Sequence, residues 1–338
     1  MSTYHTRSVR TVDSHTEGNP TRVIVGGVPV PPGNTLLEKR AWLRDHDDGL
    51  RRMLNFEPRG SGLMCSVLLL PPETDSADFS VIIMEQREYV PMCGHCIIGT
   101  AMTVVSEGMV PVVEPVTTVR FDTPAGLVTC EVSVRDGQVG AVSFENVESF
   151  TLCSDASLDV PDLGRISVDI AYGGDFYVIV DADSLDLDLS LQNDQQLIDF
   201  SIRIREAVAD QIETVHPERP DINTCYQVLF TSSKTSQGDY KQTILCPPGS
   251  LDRSPCGTGT SARVALLHDR GEIGLGETRA FEGPLGTCMH GEAVRAEQRG
   301  GTTFVTPRIT GTAWITGYHH FVMAPDDPLQ MGYRVGPA

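Results

Sequence analysis

CGHCIIGTAMTVVSEGMV at residues 93–110 and CGTGTSARVALLHDRGEI at residues 256–273 are two copies of one pattern. Each opens on Cys-Gly, runs through small residues into an apolar stretch, and meets a glycine, Gly108 or Gly271, at the same offset from its cysteine. Ile97, Ile98, Ala101, Val104 and Val105 recur near a 3.6 period, as do Val264, Leu266 and Leu267. That spacing predicts a helix beginning at each cysteine and ending at each glycine.

The likeness extends outward. FDTPAGLVTCEV at 121–132 is echoed by FEGPLGTCMHGEAV at 281–294, with Phe, Pro and Gly in the same order. Upstream, RVIV from Arg22 follows EGN, and YVIV from Tyr177 follows GGD with one Phe between. A repeat of this length implies two similar half-molecules. RVIVGGVPV, SVLLLPP, SVIIME, VTTVRF, LVTCEVSV, YVIVDA and TTFVTP are short, β-branched and bounded by turn residues, which predicts strands. LIDFSIRIREAVADQI predicts one more helix over about 194–213. The fold class expected is α+β, two pseudo-symmetric domains of strands with a helix starting at each cysteine, facing one another across a ligand cleft.

Composition bounds the function. At 338 residues the chain has room for two domains with cores of their own. A net charge of −19 repels phosphate backbones and anionic membranes, so nucleic acid and membrane are not expected partners. MSTYHTRSVR has no apolar signal stretch after it, and no run approaches a spanning helix, so a cytoplasmic location is expected. Nine cysteines, an odd number in a chain of this size, do not suggest a disulfide framework. Most lie in apolar stretches, where a reduced Cys acts as a small hydrophobe.

Cys93 and Cys256 differ because each stands directly before a glycine and a helical stretch. The first turn of a helix has unpartnered N–H groups and partial positive charge, which favour a thiolate and make it a competent base near neutral pH. Gly94 and Gly257 let a ligand carboxylate approach the same N–H groups. Two such sites suit inversion of an α-carbon: one thiolate removes the proton and a thiol on the opposite face delivers another. Backbone N–H groups would stabilise the anionic intermediate, and the scheme calls for no cofactor.

MCGHCIIG at 92–99 and DRSPCGTGTSA at 252–262 closely resemble the two catalytic motifs of the proline racemase and hydroxyproline epimerase family. Further similar segments are DSHTEGNPTRVIVGG at 13–27, FEPRGSG at 56–62, PVVEPVTTVRFDTPAG, YGGDFYVIV at 172–180 and ITGTAWITGYHHFV at 309–322. The resemblance implies two domains, each a β-barrel-like sheet around a central helix as in diaminopimelate epimerase, over 1–145 plus 310–338 and 146–309. It implies Cys93 and Cys256 as the proton-transfer pair, and isomerisation rather than the dehydration catalysed by related trans-3-hydroxyproline enzymes that commonly replace one thiol. It implies that Gly94, His95, Gly257 and Thr258 bind the substrate carboxylate through backbone N–H groups. His95 and Asp252 would hold the ring nitrogen, whose N–H needs an acceptor. Cys65 and Cys246 stand where proline racemases place a Phe, leaving room for a hydroxylated ring, so the expected reaction converts trans-4-hydroxy-L-proline to cis-4-hydroxy-D-proline. Asp175 replaces an expected Asn or Ser and would accept a hydrogen bond from the substrate hydroxyl. An imino acid is the expected small-molecule partner, and a homodimer the family expectation.

Other readings compete. CGHC is also a disulfide-exchange tetrad, but it lies without the small βαβ domain expected around it, and that reading leaves DRSPCGTG unexplained. A Cys93–Cys96 disulfide would be an inactivating oxidation. A metal site on Cys93, His95 and Cys96 lacks a fourth partner in the sequence, so no metal is expected. His319 and His320 would point to opposite faces of a strand, and His15 and His216 read as turn or surface residues. Asp13, His15 and Glu17 read as structural support of the site, and SLDLDL at 184–189 as a solvated loop or edge. A catalytically dead imino-acid binder would not need both thiols.

Overall fold

The computed structural model describes residues 7–334 apart from position 248. The chain divides into two compact units, one of residues 1–144 with 311–338 and one of residues 145–310. Unit 1 carries β1 (Arg7–Thr16), β2 (Asn19–Gly26), β3 (Cys65–Leu70), β4 (Phe79–Met84), β5 (Tyr89–Val90), β6 (Val116–Thr123), β7 (Gly126–Arg135), β8 (Gln138–Glu145) and, from the far end of the chain, β18 (Ala313–Met323). Unit 2 carries β9 (Phe150–Val160), β10 (Gly164–Tyr172), β11 (Phe176–Asp181), β12 (Cys225–Ser232), β13 (Tyr240–Cys246), β14 (Ser250–Leu251), β15 (Thr278–Glu282), β16 (Cys288–Arg299) and β17 (Thr302–Gly311).

The two units have the same strand order. In unit 1, β18 pairs antiparallel with β1, β1 with β2, β3 with β4, β6 with β7 and β7 with β8, while β2–β3 and β4–β6 are parallel. In unit 2, β9–β10, β10–β11, β12–β13, β15–β16 and β16–β17 are antiparallel, while β11–β12 and β13–β15 are parallel. Phe79 faces Phe121 in one parallel pair, and Tyr240 faces Phe281 in the other. Register makes Thr21 the counterpart of Tyr177, one residue away from the match of the RVIV and YVIV strings, because Thr21 pairs with Cys65 and Tyr177 with Gln227.

Each cysteine motif supplies a central helix. Helix α3 (Gly94–Ser106) is buried on every side from Gly94 to Val105, as expected for a helix that is apolar all round. It touches β18, β1, β2, β3 and β7, strands from both ends of the order, so the sheet wraps around it. Helix α5 (Gly257–Asp269) touches β9, β10, β11 and β16 in the same way. Gly108 and Gly271 follow these helices with φ of 63° and 71°, a left-handed turn that glycine adopts without steric cost. The chain is a sheet-dominated α+β protein, and no helix among the described residues is long and apolar enough to cross a membrane.

Outside the sheets lie α1 (Leu36–His46), α2 (Gly49–Asn55) and α4 (Asp194–Gln211). Leu43, Leu50, Met53 and Leu54 pack against Ile24, Leu68 and Ile82, each burial stabilising by about 1.5–3 kcal/mol. Helix α4 packs against β9 and β12 through Leu197, Ile204 and Val208. Three expectations change. The strand predicted through VPV stops at Gly26. The SLDLDL stretch is not solvated throughout, since Leu187 and Leu189 are buried in the unit 2 core while Ser184 and the two aspartates face water. His216 occupies a turn but not the surface, because Phe150 and Tyr172 meet its ring edge-on and bury it.

Candidate active site

Cys93 is the N-cap of α3, with an extended backbone of φ −149° and ψ 120°. The hydroxyl of Thr16, on β1, donates to the carbonyl of His95 at 2.9 Å and fixes the first helical turn against the sheet. The His95 ring lies flat among thiols: Nδ1 is 3.2 Å from Cys93 Sγ and Nε2 is 3.4 Å from Cys96 Sγ. The amide nitrogen of Asn19 is 3.4 Å from the same ring. Cys65, at the start of β3, brings a third thiol, and the ligand atoms of Cys65, His95 and Cys96 lie within 4.8 Å of one another.

This environment separates charge. The Cys96 thiol hydrogen-bonds to the Cys93 sulfur and, with the His95 charge, holds Cys93 well below the ordinary thiol range against the opposing effect of burial. Burial would depress the His95 imidazole, but the charge on Cys93 reverses that and lifts it well above its usual value. An imidazolium–thiolate pair results. Cys65 is drawn down to about 7, chiefly by its hydrogen bond with Cys96, while burial pushes Cys96 up. Glu85, just past β4, is raised well above the carboxylate range by burial and by the Cys93 charge, so it stands beside that sulfur as a neutral acid.

Cys256 caps α5 with a backbone φ of 67°, a left-handed value costly for a residue with a Cβ and the kind of outlier that collects at functional sites. The preceding loop holds it there. Asp252 Oδ1 accepts from the Ser254 amide and hydroxyl at 2.8 and 2.9 Å, and Ser254 Oγ accepts from the Cys256 amide at 3.1 Å. Gln242 donates to the Pro255 carbonyl at 2.6 Å. Gly173 completes the fit, since a methyl group there would collide with the Thr258 carbonyl and the Ala262 amide.

Around the Cys256 sulfur stand the Gly259 amide at 3.4 Å, the Thr258 hydroxyl at 3.5 Å and the Tyr177 hydroxyl at 3.6 Å, with the two hydroxyls 2.5 Å apart. Cys246 and Cys256 both pack on Tyr177, Ile179, Leu229 and Ile244. Burial, with the Asp252 charge added, pushes the Cys256 thiol up to about 12 despite the helix start. A helix N-terminus alone would lower both thiols; only Cys93, which has the Cys96 hydrogen bond and the His95 charge beside it, is lowered.

The ten residues singled out in the sequence form two sets. Cys65, Cys93, Gly94 and His95 gather in unit 1; Asp175, Cys246, Asp252, Cys256, Gly257 and Thr258 belong to unit 2. Asp175 is half-buried, and its charge bears on Tyr177. Strand register makes Glu85 the counterpart of Cys246, so Cys65 and Cys246 are not equivalent positions. Glu85 lies in a strand-like segment of the sequence, and Asn19 and Tyr177 lie in family-like segments, none of which marked them as site residues. Cys65 supplies the thiol partner that the motif CGHC lacked, so Cys65, His95 and Cys96 could ligate a soft metal. All nine cysteines are free thiols.

Residues 11–334 match the proline racemase family. The chain is 44% identical over 327 residues to a 4-hydroxyproline 2-epimerase of Streptosporangium roseum, covering 97% of this chain and 98% of that one. It is 39% identical over 328 residues to a proline racemase of Clostridioides difficile, with 97% and 98% covered. A crystal structure of a hydroxyproline epimerase from Agrobacterium vitis, with bound trans-4-hydroxy-L-proline, superposes with a TM-score of 0.88 at 32% identity, covering 99% of this chain and 96% of that one.

Proposed function

This chain belongs to the proline racemase family of isomerases, and on that premise we propose that it epimerises trans-4-hydroxy-L-proline to cis-4-hydroxy-D-proline, with Cys93 and Cys256 as the proton-transfer groups. The observation that carries the reading is the pair of helix-capping cysteines in equivalent positions with opposite protonation preferences. Inversion by two bases requires one thiolate and one thiol at the start of each turnover.

The first-turn amides of Gly94, His95, Gly257 and Thr258 receive the substrate carboxylate, because those N–H groups lie outside the intrahelical ladder and point along the helix dipole. The same amides hold the charge that develops as the α-proton leaves. The Cys93 thiolate takes that proton on one face, and the Cys256 thiol delivers its own on the other. After the step Cys93 is the thiol and Cys256 the thiolate, and the Gly259 amide with the Thr258 and Tyr177 hydroxyls stabilises the new charge. Asp252 accepts from the ring nitrogen.

A hydroxylated ring is favoured by the short side chains of Cys65, close to His95 and Cys96, and of Cys246, packed on the same cluster as Cys256, and by the 44% identity to a 4-hydroxyproline 2-epimerase. Incubation with trans-4-hydroxy-L-proline in deuterated water, followed by polarimetry and proton NMR, tests this. Inversion with α-deuterium incorporation, lost in both Cys93→Ser and Cys256→Ser, is the expected result. Inversion of L-proline alone would transfer the reading to proline racemisation, and no inversion of either substrate would overturn it.

A further inference from the structure

Three soft donors, those of Cys65, His95 and Cys96, meet at the start of α3, with Cys93 beside them. Cys93 and Cys96 have the C-x-x-C spacing common in structural zinc sites, His95 lies between them, and Cys65 arrives from β3. Cys65, His95 and Cys96 are buried, and their ligand atoms lie within 4.8 Å of one another. Cys93 is only half-buried, and its sulfur is 3.2 Å from the His95 ring. We propose that Cys65, His95 and Cys96 form a three-ligand binding site for a thiophilic cation, with Zn²⁺ as the ion it fits best and the fourth position left to solvent or ligand.

Zn–S bonds of about 2.3 Å and Zn–N bonds of about 2.0–2.1 Å place tetrahedral ligand atoms roughly 3.5–3.8 Å apart, a contraction of about 1 Å from the span seen here. Two sulfurs and one imidazole select Zn²⁺ or Cu⁺ over Mg²⁺ and Ca²⁺, which demand oxygen. Thr16 fixes the His95 backbone through its carbonyl, and the Asn19 amide nitrogen lies 3.4 Å from both ring nitrogens. Binding expels the thiol protons and the second imidazole proton to solvent, so it strengthens as pH rises. Because Cys93 is one of the two proton-transfer groups in the proposed epimerisation, an ion held here silences turnover; that consequence rests on the epimerase reading, and the binding does not.

The test is a titration of the reduced full-length protein with Co²⁺ under anaerobic conditions and without substrate, followed by displacement with Zn²⁺. One equivalent of Co²⁺ is expected to produce a sulfur-to-cobalt charge-transfer band and the intense visible bands of a tetrahedral site. Cys65→Ser and Cys96→Ser are expected to weaken binding by more than about a hundredfold, beyond the loss typical of outer-group changes. Cys288→Ser, in unit 2, should leave it unchanged. X-ray absorption of the zinc-loaded wild type needs no variant, and there two or three sulfur neighbours support the site. No charge-transfer band in the folded wild-type protein, a band indifferent to both serine variants, or a zinc shell of oxygen and nitrogen alone would each overturn it.

Discussion

The sulfur of Cys93 lies 3.2 Å from Nδ1 of His95, two residues further along the same helical turn. At the equivalent place in unit 2, Cys256 is followed by Thr258, whose hydroxyl is 3.5 Å from the sulfur and carries no charge. The Cys96 hydrogen bond and the His95 charge lower the Cys93 thiol, whereas burial raises that of Cys256. Iodoacetamide, which consumes thiolates, should modify Cys93 in the substrate-free protein near neutral pH and leave Cys256 intact, as peptide mass mapping reads directly. Since the Cys93 thiol is lowered, its labelling should fade only as pH drops below the depressed value. Replacing His95 by Gln should move that fading toward higher pH.

Tyr177 gives the Cys256 sulfur a hydroxyl partner and shares a 2.5 Å contact with Thr258. Tyr177→Phe removes that hydroxyl and keeps the ring in its packing against Ile179 and Leu229. One hydrogen bond contributes about 0.5–1.5 kcal/mol, so kcat should fall up to about tenfold with little change in KM. A KM that rises while kcat holds would assign Tyr177 to binding instead.

Asp175 separates hydroxyproline from proline if it accepts the ring hydroxyl. Loss of a hydrogen bond to a charged group costs about 1.5–3 kcal/mol, so Asp175→Ala should lower kcat/KM for trans-4-hydroxy-L-proline by about 10- to 100-fold and spare any turnover of L-proline. Equal losses on both substrates would show a general effect on the unit 2 site.

Behind α3, Asp13 and Arg22 form a buried ion pair at 2.8 Å, with Arg22 also donating to the Leu54 and Arg59 carbonyls and stacked 4.1 Å over Phe321. Arg22→Met leaves the Asp13 carboxylate buried without its cation, which should cost about 3–5 kcal/mol in chemical denaturation. The double variant Asp13→Leu/Arg22→Met should recover part of that loss.

The helix-capping cysteines were legible because Cys-Gly, an apolar period and a glycine at constant offset are local signals, and they set α3 and α5 correctly. Glu85 and Asn19 were not, since Glu85 reaches Cys93 and Asn19 reaches His95 only through strand pairing and neither residue type stands out where it occurs. The sequence makes His216 read as a surface residue because its aromatic partners, Phe150 and Tyr172, come from distant strands. In SLDLDL the charges drew attention, although the period-2 alternation that buries Leu187 and Leu189 was present in the letters. The proximity of Cys65 to Cys96 depends on the parallel pairing of β2 and β3, which no short-range pattern encodes.

The pairing of β18 with β1, Arg7 against Met323, joins opposite ends of the chain. On the ribosome, residues 145–310 emerge as a continuous segment able to close their own sheet while β1 still waits for its last neighbour. Synthesis order and assembly order are thus reversed: the first unit begun is the last completed. Until β18 arrives, the edge of β1 is open to pairing with other nascent chains, so the interval between the two events is when aggregation threatens most.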